Sequence, residues 1–75
     1  VEKVPIKFDH DGQHYDGHFA PVSGAGSSAT FHLMINNYYF GRLRMGPQGW
    51  VFDSNSGLFA KLADYFGDYV TAWYQ

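Results

Sequence analysis

Seventy-five residues without a single cysteine leave room for one small domain, and they exclude a disulfide-stapled scaffold and any thiolate metal site. A formal net charge of −2 argues against a protein whose main task is gripping phosphate backbones, so nucleic acid is an unfavoured partner. No apolar run approaches the ~20 residues of a membrane span and no signal-peptide pattern is present, so no membrane partner is expected. The absence of cysteine fits a reducing compartment, which favours the cytoplasm. A first residue of Val rather than Met is what a trimmed, processed or excised chain would show. A chain this short buries only about 60% of its unfolded surface. The compensation is aromatic: seven Phe, six Tyr and two Trp, each burying a large apolar area per ordered side chain.

Val4, Ile6 and Phe8 alternate with Pro5, Lys7 and Asp9, the period of a half-buried strand over about 3–9. Tyr15, Gly17 and Phe19 alternate with His14, Asp16 and His18 over 13–20. Asp11-Gly12 between them predicts a two-residue hairpin turn, because both central residues reach positive φ easily. That turn sets Phe8 opposite Tyr15, Ile6 opposite Gly17 and Val4 opposite Phe19, with Asp9 facing His14 and Lys7 facing Asp16 on the other side. A one-residue slip would destroy this agreement.

Pro21 to Ser28 is a loop by composition. Phe31, Leu33 and Ile35 then mark a third strand over 29–36. "YYFGRLRM" supplies a fourth over 39–45, and "WVFD" a fifth over 50–53, with Gly46 to Gly49 as the turn between them. That turn pairs Met45 with Trp50, Leu43 with Phe52 and Arg42 with Asp53. The connection at Asn36–Tyr38 has two solutions. A three-residue loop turns Tyr39 and Gly41 inward and Phe40 and Arg42 outward. A tight Asn-Asn turn turns Tyr38, Phe40 and Arg42 inward. The first is preferred because it keeps Arg42 out of the core.

From Ser56 the period becomes helical: Phe59, Leu62, Phe66, Val70 and Trp73 recur at three and four residues. The helix is expected over 57–74, capped by Asn55 or Ser56, with Lys61, Asp64 and Asp68 on its wet side. Gly67 within it marks a kink or a close approach to the sheet. The fold class is therefore α+β: a five-stranded antiparallel meander with one C-terminal helix packed on one face.

The densest polar stretch is "DHDGQHYDGH", Asp9 to His18. It does not read as a single metal centre. His14 and His18 share a face but lie about 13 Å apart along the strand, and a zinc ion needs its ligands at about 2 Å. The spacing is also not that of a calcium loop. His18 and His32 would share the outer face, directly opposite one another if Phe19 pairs with Phe31, which makes them the weak metal candidates. No cofactor is expected. No nucleophile stands in a recognisable setting and Glu2 is the only glutamate, so an enzyme is not expected.

The outer sheet face is the candidate working surface. Met34, Phe40 and Val51 there lie among Arg42 and Arg44, the mixture of Met, aromatic and Arg that marks interaction surfaces. The reading is a non-enzymatic binding or assembly module whose partner is a protein or a second copy of itself. The alternative is weak single-stranded nucleic-acid binding through Tyr38, Phe40, Arg42 and Arg44, interleaved aromatics and arginines on a strand.

Overall fold

A computed structural model describes residues 3–24 and 29–74. Five strands, β1 (Val4–His10), β2 (Gln13–Ser23), β3 (Thr30–Ile35), β4 (Tyr38–Gly46) and β5 (Gly49–Asp53), form one antiparallel sheet in the order β1-β2-β3-β4-β5. The sheet curls around one C-terminal helix, α1 (Ala63–Trp73), which crosses β4 and β5. The small α+β meander expected from the periodicities is the fold observed.

The first hairpin has the expected register throughout, from Val4↔Phe19 to Asp9↔His14. Its turn residues Asp11 and Gly12 both have positive φ. Pro5 sits on the edge strand with its carbonyl turned away from β2, accepting a hydrogen bond from the Tyr69 hydroxyl. The missing proline N–H therefore removes no ladder bond. The last hairpin also has its expected register, with Met45↔Trp50, Leu43↔Phe52 and Arg42↔Asp53.

Three expectations about β2, its pairing with β3 and the helix need correction. First, β2 runs to Ser23, three residues into the stretch read as a loop, with a register irregularity between Pro21 and Ser23. Of the remainder of that loop, residues 25–28 lie outside the described residues. Second, β2 and β3 pair two residues away from the expected register: Phe19 faces Leu33, and Pro21 faces Phe31. The shift is even, so every side chain keeps its face.

Third, the helix begins later than expected. Ser56, Gly57 and Phe59 all have positive φ, which ends helical propagation. Residues Asn55–Gly57 form an isolated 3₁₀ turn, and Ala60–Leu62 a second one leading into α1. Neither Asn55 nor Ser56 caps α1. Instead the Ser54 hydroxyl donates to the Leu58 carbonyl at 2.6 Å, closing the preceding turn. Ala63, Phe66, Gly67 and Val70 form the buried face of α1. Trp73, expected in the core, is 43% exposed in the last turn, and Tyr74 takes the contact with Phe31.

At Asn36-Asn37 both readings of the connection are half right. The turn is tight, with φ of 53° and 66° at the two asparagines and Ile35 paired with Tyr38. One bulge then follows. Met34 faces Tyr39 and Leu33 faces Gly41, leaving Phe40 as the extra residue. The bulge returns Gly41 and Leu43 to the core and Arg42 to solvent. Gly41 is needed there, because a Cβ would lie 2.5 Å from the Phe52 ring.

Gly67 marks a close approach and not a kink: α1 is continuous through it. A Cβ at Gly67 would stand 2.1 Å from the Trp50 indole. Gly67→Ala normally gains about 1 kcal/mol in a helix interior. Here it is expected to lose about 1–3 kcal/mol by overpacking, read as a lower urea midpoint. Combining it with Trp50→Leu should recover most of that loss.

Candidate functional site

The outer face of the sheet, opposite α1, follows from the registers. His18, Met34 and Tyr39 form one row across β2, β3 and β4. Ala20, His32, Arg42 and Asp53 form the next, and Arg44 and Val51 a third. His32 lies at the middle of the face, its ring edge-on to Tyr39 at 4.8 Å. His18, Ala20, His32, Met34 and Val51 are half-buried, although among the described residues no element packs on this face. Their neighbours on the pleated surface provide the burial.

Of the five residues assigned to this surface, the structure gathers four: Met34, Arg42, Arg44 and Val51. Phe40 is a correction. The bulge turns it to the helix side, where its ring stacks on Phe59 at 6.2 Å. Tyr39 takes the outward aromatic position in its place. The signal was present in the sequence: the tight-turn reading of Asn36-Asn37 leaves Tyr39 outward, and only an inserted residue reconciles it with Arg42 outward.

Asp53 organises the charged edge. Arg44 donates to its carboxylate at 2.9 Å, and Arg42 approaches the same oxygen at 3.7 Å. Arg42 is the register partner, yet Arg44 makes the direct bond. That hydrogen bond, opposed by partial desolvation and reinforced by the charges of Arg44 and Arg42, holds the Asp53 carboxyl below its ordinary range. At the far end of the face His14 and Asp9 bond at 2.8 Å, as their cross-strand pairing predicts.

The histidine pair is looser than a direct opposition. His18 faces Met34, and His32 faces Ala20, so the two are diagonal neighbours. Among the described residues no group of three or more His, Asp or Glu side chains is arranged to hold a metal ion. Two clefts flank the sheet on other sides. One of about 330 Å³ lies between Pro5, Lys7 and Tyr69. The other, of about 390 Å³, lies between His10, Asp11 and the 57–61 segment. Among the described residues no helix is long and apolar enough to cross a membrane. No family model, curated protein or solved structure gives a significant match to the chain.

Two outcomes follow from these placements. Phe40→Asp is expected to cost about 2–4 kcal/mol, since it sets a carboxylate against the aromatic core. Met34→Asp should cost under about 1 kcal/mol, and paired thermal melts separate the two. The lowered Asp53 carboxyl adds stability above the ordinary carboxylate range, which is lost as pH falls through its folded value. Arg44→Gln should therefore flatten the fall in stability below about pH 4, by a small amount because the pair is half-exposed.

Proposed function

We propose that this domain is a non-enzymatic binding or assembly module that works through the outer face of its sheet. One observation carries the reading. The broad face opposite α1 presents Met34, Tyr39 and Ala20 around the central His32, with His18 on one side and Arg42, Arg44 and Val51 toward the β5 edge. Met and Tyr beside arginines are the mixture enriched at protein contacts.

The edges of the sheet are poorer surfaces. On β1, Pro5 and the Tyr69 hydroxyl occupy one end, and the charged Lys7 and Asp9 line the rest. Such features keep edge strands from pairing with other chains. The helical segments lie against β5. That leaves the outer face and the solvent side of α1, where Tyr65 and Trp73 are exposed, as the surfaces open to a partner.

The nucleic-acid alternative draws less support from this geometry. Phe40 faces the core, and both arginines share Asp53. What remains for stacking is Tyr39 beside His32 and the 72%-exposed Tyr38 at the turn.

The test is a backbone and methyl NMR series over protein concentration and over added oligothymidylate at low salt. Concentration-dependent shifts gathered on His18, His32, Met34, Tyr39, Arg42 and Val51 are the expected result. Shifts confined to the helix side, around Tyr65 and Trp73, would defeat the proposal. Oligonucleotide binding that weakens steeply with salt would favour the alternative.

A further inference from the structure

We infer that the occupant of the outer face is a second copy of this chain, docked face to face about a two-fold axis over Met34. The inference rests on the reading of that face as the working surface, and adds what covers it.

The registers make the face self-complementary. Met34 lies on β3, the central strand of five. From Met34, one strand over to His18 and two residues along β2 leads to Asp16. One strand over the other way, and two residues along in the opposite direction, leads to Arg42, the partner of His32. The acid and the base are thus displaced from Met34 by equal and opposite steps, each about 8 Å on an ideal sheet. A two-fold axis lying in the interface and perpendicular to the Asp16–Arg42 line sets each Arg42 on the other copy's Asp16. The same contact is made twice, as an isologous dimer requires. The strands then cross steeply, close to the orthogonal class of sheet packing.

The charges around these two residues have the same polarity. Toward the β1–β2 turn the face carries Asp9 and Asp16 beside Lys7, with Asp11 at the tip. Toward β4 it carries Arg42 and Arg44 against the single carboxylate of Asp53. Arg42 is the arginine able to turn to a partner, because Arg44 keeps the short bond to Asp53. Met34 and the His32–Tyr39 pair lie between the charged corners, where a closed interface has its dry centre.

Size sets the strength. The sheet curls around α1, so contact between two outer faces concentrates on β2 to β4. Three strands about 4.8 Å apart and six residues deep give a footprint of about 300 Å² per copy. About 600 Å² in total lies below the range of stable specific interfaces. A weak, micromolar dimer follows, so the concentration range of the experiment must reach hundreds of micromolar.

Sedimentation equilibrium from about 5 to 500 µM, a range chosen to bracket micromolar affinity, tests this together with Asp16→Arg and Arg42→Asp. The wild type should pass from monomer to dimer. Each charge reversal should weaken the dimer about tenfold or more. Mixing the two variants should restore it, because every contact in the mixed dimer again joins opposite charges. Circular dichroism and urea unfolding establish that both variants fold. A strictly monomeric wild type, a mass that grows past the dimer, or variants that fail to complement would each overturn the inference. A monomer whose outer-face resonances shift on adding an oligonucleotide would overturn the dimer and leave a binding role for the face. A dimer indifferent to Asp16→Arg, Arg42→Asp and Met34→Asp alike would overturn the use of the face itself.

Discussion

Phe59 holds this small domain together. Its ring lies within 5.0–6.5 Å of the rings of Phe8, His10, Tyr15, Phe40, Phe52 and Phe66, drawn from both hairpins, β4 and α1. Its backbone is left-handed, with φ of 65°. A bulky residue in that conformation costs about 1–3 kcal/mol. Burying the ring returns about 1.5–3 kcal/mol, and each well-placed aromatic pair adds about 0.5–1.5 kcal/mol. Packing outweighs the strain. The left-handed residue also explains why α1 starts late: the turn that aims Phe59 into the core cannot be helical.

The bulge in β4 answers to the same hub. Asn36-Asn37 favours a tight turn, which sets one alternation along β4. The core requires the other alternation, with Leu43 inside and Arg42 outside. One inserted residue satisfies both, and that residue, Phe40, spends its ring on Phe59. The outer face consequently has Tyr39 where a simple strand would have placed Phe40. Core packing on one side of the sheet thus selects the aromatic displayed on the other, the link by which the fold shapes the surface proposed to act.

The two faces of the sheet are stabilised differently. The helix side is held by rings, with no buried polar or charged residue among those described. The outer side is held by cross-strand pairs: His14 with Asp9, Tyr39 with His32, and Arg44 with Asp53. Exposed pairs of this kind contribute little each. They can therefore be rearranged by a partner at small cost, whereas the inner face cannot be altered without unfolding.

Where strict alternation met an unambiguous turn, as at Asp11-Gly12 and Gly46–Gly49, local sequence alone determined strand, face and register, because a single slip would have reversed every side chain. The face of Met34, Arg42, Arg44 and Val51 was legible for the same reason. Tertiary structure decided the rest. The pairing of β2 with β3 crosses a long connection, and a two-residue shift leaves every face unchanged, so alternation cannot detect it. The bulge at Phe40 reconciles a local turn preference with distant core contacts, and neither alone implies it. The late start of α1 depends on Phe59 accepting a strained backbone for six aromatic neighbours that become its neighbours only on folding.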